Sequence, residues 1–355
     1  MSIFDLITST EIASYWNTLT EGDTDNYVGE VLFPPTKQIG IDIKWIKGAK
    51  GLPVILKPSA YDTAAIPRPR LSFDKMEAEM PYFKESKYID ERMRQQLNLV
   101  IQTGNQEYID AVVSKIFDDQ TDLLRGAKAT REVMRMMAIT SGVVSIVANG
   151  QNYFYDYDVT HKGNAKVSWS DHEKSDPIED IRLAMEEVKT ATGRVITRAI
   201  MNTVTWRHVR QNKSILQQIY VLNKGEVKSI SDATLKQYLK TELNISVELD
   251  DLKYTDADGA DQKFVPDNTV SLLPDGVLGE TVFGTTPEES DLMTGSDAQV
   301  SIVNNGTAIT TYKETHPVQV VTVVSSVMIP SFETIDDCAV ANVTQVSTDS
   351  GTEIK

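Results

Sequence analysis

A long, basic, proline-containing segment at residues 34–75 most constrains how this chain can fold. Apolar and polar residues alternate over residues 39–45, which is the period of a β-strand. A glycine- and lysine-containing turn at residues 48–51 and a second strand at Val54–Lys57 are predicted to follow. The return limb contains residues that exclude a helix and disfavour a central strand, namely Pro58, Pro67 and Pro69. Because an isolated hairpin is marginally stable in water, we expect another surface to hold this segment down.

This segment and the rest of the chain carry charges of opposite sign. The formal net charge of the chain is −16. Residues 34–75 contain eight basic and three acidic side chains, so their net charge is +5 and that of the remaining residues is −21. The overall balance argues against sequence-independent binding of nucleic acid, which requires a basic face.

Length and composition are those of a soluble globular protein with two or three domains: 355 residues, 41% hydrophobic and 24% charged. No run approaches the roughly 18 consecutive apolar residues of a membrane span, and the first residues do not read as a secretory signal. The single cysteine, Cys338, excludes an intramolecular disulfide and a multi-cysteine metal site. We therefore expect synthesis in a reducing cytoplasm.

Helical and strand patterns alternate irregularly along the chain, which predicts an α+β fold. Helices are predicted at Ile7–Leu19, residues 88–140 (with the pattern resuming after Gly126), Asp176–Gly193, Trp206–Tyr220 and Ser231–Leu243. Strands and hairpins are predicted around Asn149-Gly150, at residues 194–202, from residue 246 around Asp258-Gly259, at 309–315, at 318–329 with Pro330 as the end, and at Cys338–Val343. The run at 318–329 is rich in β-branched residues, as in a sheet that is buried on both faces.

No catalytic or metal-binding motif is found. The phosphate-binding loop, the dinucleotide fingerprint and the nucleophile elbow are absent. The four histidines, His161, His172, His208 and His316, lack the spacing of metal ligands, although folding can bring distant histidines together. Residues 255–261 resemble a calcium loop, but the glycine and the last acidic residue are out of register, so a hairpin turn is favoured.

The remaining reactive side chains have structural interpretations. The acidic pair Asp250/Asp251 and the run at 287–291 are interpreted as solvated acidic faces and not as acid/base catalysts. Cys338 is interpreted as a small buried hydrophobic residue and not as a nucleophile. Trp45, Trp169 and Trp206 are interpreted as packing residues. We therefore expect no enzymatic activity, no cofactor and no metal.

Three stretches carry a resemblance to a known family. KFVPDNTVSLLP at residues 263–274 is similar to a PDNT signature in the central domain of lambda-type (protein E) major capsid proteins of tailed bacteriophages. DPIEDI at 176–181 and REVMRMMAITSG at 131–142 support the same resemblance, as does the order of elements along the chain. The resemblance implies the Hong Kong 97-type capsid fold.

The family implies a division of the chain into named parts. It gives an N-terminal arm at 1–33, an extended loop and its return at 34–87, a peripheral domain with a spine helix at 88–175, an axial domain at 176–310, peripheral closing strands at 311–345, and a flexible tail at 346–355. The extended loop would reach over a neighbouring subunit. The candidate inter-subunit contacts are the basic residues Lys37, Lys44, Lys47, Lys50, Lys57, Arg68 and Arg70.

The resemblance also implies a function and partners. The chain is expected to form hexamers and pentamers of an icosahedral head that encloses double-stranded DNA without sequence-specific binding. A basic loop on an acidic body favours contact between identical chains. A separate scaffolding protein and a portal are implied, whether a decoration protein binds is left open, and the expected location is the virion after synthesis in the bacterial cytoplasm. The alternatives are an encapsulin-like shell, a tail-tube protein and, from another class, a hydrolase with an unrecognised site.

Overall fold

The structure, a computed structural model, describes residues 8–20, 27–47, 74–103, 106–148, 150–223, 230–294, 299–316 and 318–346. The chain divides into two compact units. The first unit contains residues 1–44, 77–134 and 280–331, and the second contains residues 45–76, 135–279 and 332–355. The boundaries of the two units differ from those of the predicted domains. One of them lies between Ser331 and Phe332, inside the predicted segment 311–345.

The helices in chain order are α1 (Ser9–Thr20), α2 (Val28–Leu32), α3 (Glu91–Thr103), α4 (Gln106–Ser141), α5 (Pro177–Thr192), α6 (Thr203–Gln211), α7 (Lys213–Asn223), α8 (Asp232–Leu243) and α9 (Pro287–Thr294), with a short 3₁₀ helix at Ile335–Asp337. The predicted N-terminal helix is confirmed as α1 within two residues of its expected start. The helical stretch predicted at residues 88–140 is confirmed in α3 and α4, and α4 runs through Gly126 without a break. Its predicted start is wrong, because Tyr88 and Ile89 belong to a strand that ends at Ile89.

The strands are β1 (Pro35–Lys37), β2 (Asp42–Lys47), β3 (Asp74–Glu79), β4 (Tyr82–Ile89), β5 (Val143–Ala148), β6 (Gln151–Asp156), β7 (His161–Ala165), β8 (Ile196–Met201), β9 (Ser246–Leu249), β10 (Lys253–Thr255), β11 (Asp261–Lys263), β12 (Thr269–Pro274), β13 (Glu280–Phe283), β14 (Gln299–Val303), β15 (Thr307–Thr315), β16 (Val318–Ser331) and β17 (Ala339–Val346). The strand predicted from the alternation over residues 39–45 is confirmed from Asp42 onward as β2. It does not start at residue 39, because Gly40 has a φ of +99°.

Strand β16 is the centre of the first unit's sheet. The strand order is β1–β13–β16–β15–β14, and β4 also pairs with β16. The ladder with β15 runs from Thr307↔Ser326 to Thr315↔Val318. Every residue of β16 from Val320 onward is buried, so the prediction of a strand buried on both faces is confirmed.

Helices α1 and α4 cover this sheet. Their apolar side chains form one cluster with those of the strands: Ile12, Trp16, Ile89, Ile116, Leu123, Leu124, Val303, Ile309, Val320 and Val324. Each large apolar side chain that is fully buried contributes about 1.5–3 kcal/mol. The long helix was predicted to lie across a sheet, and the contacts of its first-unit part confirm this.

The prediction that Pro330 ends β16 is wrong. The strand continues to Ser331, and Pro330 pairs with Thr281 of β13. The ladder between β16 and β4 ends at Val327↔Tyr82. β4 does not pair with β16 beyond Val327. The missing N–H of Pro330 therefore interrupts no hydrogen bond between these two strands.

The second unit is built on a five-stranded sheet in the order β7–β17–β12–β8–β9. β12 is antiparallel to β17 and β8, whereas β7 is parallel to β17 and β9 is parallel to β8. Its core contains side chains from this sheet and from α5 to α8, and it includes Trp169 and Trp206, each 1% exposed. The packing interpretation of these two tryptophans is confirmed, whereas the side chain of Trp45 lies outside the described residues.

Helix α5 begins and ends where the sequence predicts. The Asp176 side chain accepts a hydrogen bond from the Glu179 N–H at 3.2 Å, Pro177 is the first helical residue, and Gly193 follows the helix with a φ of +75°. The predicted helix Trp206–Tyr220 is wrong, because Asn212 separates α6 from α7. Asn212 Oδ1 accepts from the Ile215 N–H at 3.2 Å and starts a second helix.

The predicted hairpins form with one correction. β5 and β6 pair from Val143↔Asp156 to Ala148↔Gln151, and Asn149 of the predicted turn lies outside the described residues. β10 and β11 form the second hairpin, whose turn is fixed by Asp256 Oδ1 accepting from the Ala260 N–H at 2.8 Å. The preceding strand β9 pairs in parallel with β8 and does not belong to this hairpin.

Candidate inter-subunit surfaces

Two paired strands, β2 and β3, form the base of the long basic segment. β2 and β3 form a two-stranded sheet, and residues 48–73 between them lie outside the described residues. The predicted turn at 48–51 and strand at Val54–Lys57 fall in that range. Four candidate contacts fall there as well: Lys50, Lys57, Arg68 and Arg70. Lys44 and Lys47 lie on β2, but their side chains are outside the description.

Lys37 is held within its own unit. Its Nζ donates to Gly284 O at 2.8 Å and pairs with Glu289 Oε2 at 2.5 Å. Glu289 is 7% exposed, and β1 pairs in parallel with β13 at Lys37↔Phe283. The sequence interpretation did not foresee this intrachain partner, and a contact of Lys37 with a neighbour stays a prediction.

Glu288, which precedes Glu289 in α9, has its own hydrogen-bond and ion-pair partners. It accepts from Tyr82 Oη at 2.9 Å and from Ser325 Oγ at 2.7 Å, and it pairs with Lys84 Nζ at 2.9 Å. Burial alone would raise the pKa of Glu288, but the hydrogen bonds from Lys84 and Ser325 lower it overall. A solvated acidic face at 287–291 is therefore wrong for Glu288 and Glu289, because cations and hydroxyls from distant strands compensate their charge.

The sequence contains a local signal for the start of α9, the helix that carries Glu288 and Glu289. Thr286 Oγ1 accepts from the Glu289 N–H at 3.2 Å, and Pro287 is the first residue of α9. Threonine before proline, followed by acidic residues in the first turn, is the pattern of a helix start. It indicates where the two glutamates sit on α9, but it contains nothing about Lys37 or Lys84.

Of the acidic pair Asp250/Asp251, the first residue also departs from the solvated interpretation. Asp250 is 4% exposed, and its Oδ1 accepts from the Leu252 N–H at 2.9 Å. Burial raises the pKa of this carboxyl. Asp251 is exposed and accepts from the Thr203 N–H at 2.9 Å, at the start of α6. Both carboxylates serve turns and helix ends.

Cys338 is 1% exposed, and burial raises the pKa of its thiol. A thiol in this setting is poorly ionised and is not an activated nucleophile. Its interpretation as a small buried residue is confirmed.

The PDNT stretch forms a turn that fixes β12 to α6. Asn268 has a φ of +61°, a conformation that asparagine tolerates, and its N–H donates to Thr205 Oγ1 at 2.9 Å. Asp267 pairs with Lys263 at 2.6 Å and accepts from Asn202. The signature residues therefore have a structural role inside the second unit.

Folding brings two distant histidines together. His172 Nε2 lies 3.2 Å from His208 Nδ1, while His161 Nδ1 lies 3.0 Å from Glu187 Oε1. Burial first, and then the nearby His172, lower the pKa of His208. Among the described residues, no group of three His, Cys, Asp or Glu side chains is arranged to hold a metal ion. Within the same part of the chain, no helix is long and apolar enough to cross a membrane.

A comparison with family models matches residues 8–343 to the phage major capsid protein E family. No curated protein matches the chain. The match covers the three stretches on which the sequence resemblance rests, at residues 131–142, 176–181 and 263–274.

Solved structures share the fold. A putative capsid protein of a prophage in Escherichia coli CFT073 has a TM-score of 0.56 at 16% identity, over 95% of this chain and 99% of that chain. A phage-related protein from Bordetella bronchiseptica RB50 has a TM-score of 0.53 at 12% identity, over 96% and 98%. A capsid protein of cyanophage A-1(L) has a TM-score of 0.50 at 14% identity, over 91% and 95%. These likenesses confirm the Hong Kong 97-type fold.

Proposed function

Because the chain belongs to the phage major capsid protein E family, we propose that it assembles with copies of itself into the icosahedral head of a tailed phage. The observation that carries this proposal is the family match over residues 8–343. Hexamers and pentamers would tile the shell around double-stranded DNA. The role is structural, and the described residues offer no catalytic set that would suggest otherwise.

The extended loop provides the contact between neighbours in this proposal. Its base is fixed by the β2–β3 pair and by the Lys37–Glu289 ion pair. The charge of residues 34–75, +5, opposes the −21 of the remaining residues, so the loop of one copy is attracted to the body of another. Helix α1 of the N-terminal arm packs on the sheet of its own unit. We propose that the arm and the loop together tie neighbouring subunits.

The finer assignments follow the family. We propose a peripheral domain at 88–175 and 311–345 and an axial domain at 176–310. Partners would be a separate scaffolding protein and a portal, with a decoration protein as a further option. The protein would be made in the bacterial cytoplasm and end in the virion, with DNA enclosed and not specifically bound.

Electron microscopy of the purified protein at high concentration tests the function. Closed shells are expected. Tubes would indicate a tail-tube protein, and monodisperse monomers under all assembly conditions, with or without scaffold, would contradict a capsid role. An encapsulin-like shell would be recognised by its smaller particles and by bound cargo protein.

A further inference from the structure

The hairpin of β5 and β6 is a sheet of two strands with open edges. The strands pair with each other from Val143↔Asp156 to Ala148↔Gln151, and no other described strand pairs with either of them. Edges of this kind present backbone N–H and C=O groups to which another strand can bind. A hairpin of two strands is marginally stable in water, so a further strand on its edge would be stabilising.

Apolar side chains become exposed toward the turn of this hairpin. Val144, near the start of β5, is fully buried, whereas Val147 is 70% exposed and Phe154 is 62% exposed. Phe154 lies opposite Ser145 and Val147 lies opposite Asn152, so the two exposed apolar side chains are on one face of the hairpin. Exposed apolar side chains beside an open strand edge indicate a surface for association.

The hairpin carries almost no charge. Residues 143–156 contain one charged side chain, Asp156 at the end of β6, and no proline. Soluble proteins usually protect an edge strand with charged residues or proline, and residues 151–155 contain neither. Because the net charge of the chain is −16, two identical copies meet with least repulsion on a surface that has no charge. The absence of basic residues from this segment also makes it unsuited to nucleic acid.

The outer edge of β6 is complementary to its own copy. Two residues separate Ala148 from Gln151, and a hairpin with this spacing closes on a hydrogen-bonded pair. The ladder bonds alternate along an antiparallel pair, so the N–H and C=O groups of Asn152, Phe154 and Asp156 point away from β5. Donors and acceptors in this order match an identical antiparallel strand that is related by a twofold axis.

We propose that β6 pairs antiparallel with β6 of a second copy about a twofold axis at Phe154, an inference that rests on the proposed shell function. The hairpins of the two copies then form one sheet of four strands. Phe154 lies opposite Phe154 of the second copy, and Tyr153 lies opposite Tyr155. Asp156 lies opposite the neutral Asn152, so no like charges face each other.

The sequence of β6 favours this register. Tyr153, Phe154 and Tyr155 read the same in both directions about Phe154, so the twofold pairing brings aromatic side chains opposite each other along the contact. Aromatic pairs are among the cross-strand pairs that stabilise antiparallel strands. A centre at Tyr153 would place Phe154 opposite Asn152, and a centre at Tyr155 would place Phe154 opposite Asp156. Both alternatives separate Phe154 from its copy.

Cysteine cross-linking tests the pairing and its register. The single native cysteine, Cys338, is 1% exposed and does not interfere. Asn152→Cys and Asp156→Cys are made in separate chains, and shells are assembled from each variant alone and from an equal mixture before mild oxidation. The Cα atoms of paired residues would lie about 5.5 Å apart, a distance that a disulfide spans. We expect a disulfide-linked dimer of one chain of each variant from the mixture, and none from either variant alone.

Phe154→Lys gives a second readout. It places two lysines opposite each other at the twofold axis, and like charges in this position destabilise a strand pair. The protein concentration needed for shells should rise about tenfold, whereas thermal unfolding of the isolated subunit should not change, because Phe154 is mostly exposed. Val277→Lys, at a position of the second unit that is 53% exposed, is the matched control and should change neither quantity. Shells of Phe154→Lys at the wild-type concentration would contradict the pairing.

The outcomes separate this proposal from the function on which it rests. Shells that form without the mixed disulfide would overturn the β6 pairing alone. A Phe154→Cys chain whose new thiol is protected from a maleimide in shells, but does not cross-link to its copy, would place another surface over the hairpin and would also overturn the pairing. If no shells form and the mixture still gives the disulfide at high protein concentration, the pairing is supported and the proposed function fails.

Discussion

Lys37 and Glu289 form an ion pair at the base of the extended loop, with Lys37 Nζ 2.5 Å from Glu289 Oε2. The two residues are 252 positions apart and join β1 to α9. Glu289 is 7% exposed, so its charge depends on this partner and on the N-terminal end of its helix. The contact explains how a segment that cannot stabilise itself is held at its point of departure.

Replacing Lys37 by methionine should destabilise the first unit by about 1–3 kcal/mol, because it leaves a buried carboxylate without its cation. Chemical unfolding of unassembled subunits measures the effect. Lys115→Met, at an exposed position of α4, is the matched control and should change stability by less than about 0.5 kcal/mol. In a double-mutant cycle, Glu289→Gln should lose most of its effect in the Lys37→Met background, and strictly additive effects would contradict the pairing.

Two glycine-to-alanine substitutions should change stability in opposite directions. Gly126 lies in the middle of α4, and an added Cβ meets nothing within 4 Å. Gly126→Ala should therefore stabilise by about 0.5–1 kcal/mol. A Cβ on Gly284 would lie 2.6 Å from the backbone oxygen of Gly40, so Gly284→Ala should destabilise.

Thermal and denaturant unfolding of the two variants measure both effects. A change in stability of the same sign in both variants would contradict either the gain in helix propensity at Gly126 or the steric clash at Gly284. Far-UV circular dichroism at low temperature controls for a change in fold.

The pair His172–His208 predicts a loss of stability at acid pH. The folded-state pKa of His208 is lowered, so the unfolded chain takes up a proton more readily. Stability from this site is present above the unfolded pKa of about 6.5 and is lost as pH falls below it. Near His208 lie the charges of His172 and Arg207 and the side chain of Asn268.

Unfolding of unassembled subunits from pH 8 to pH 5 measures this effect. His208→Gln should flatten the dependence below about pH 6.5 by at most about 1.4 kcal/mol per pH unit. His316→Gln, at an exposed position, is the control and should leave the slope unchanged. An unchanged slope in His208→Gln would exclude the pair as its source.

Reversing three loop charges should block assembly and leave the subunit folded. The triple change Lys44→Glu, Lys47→Glu and Lys50→Glu lowers the charge of residues 34–75 from +5 to −1, so this segment no longer attracts the acidic body of a neighbour. Electron microscopy and sedimentation measure assembly. A triple reversal at the exposed lysines Lys115, Lys162 and Lys253 matches the change in net charge, and normal shells from the loop variant would refute electrostatic docking.

Local patterns were the most informative part of the sequence. Asp176-Pro177 and Gly193 mark the two ends of α5 because capping and glycine conformation act within a few residues. The break between α6 and α7 at Asn212 was not predicted. It depends on the Asn212 side chain accepting a hydrogen bond from the Ile215 N–H, and apolar periodicity contains no information about this bond. Pro330 was misread, because whether a proline ends a strand depends on which neighbouring strands are present.

By itself, the sequence determined the α+β class, the long helix, the buried strand β16 and the family resemblance of the PDNT stretch. It also determined that the basic loop cannot be stable as an isolated hairpin. These follow from periodicity, turn chemistry and charge, which act over short distances along the chain. Only the tertiary structure decided that Glu289 pairs with Lys37 and that His172 meets His208. Those pairings join residues far apart in sequence, and their energies depend on burial, which no local pattern contains.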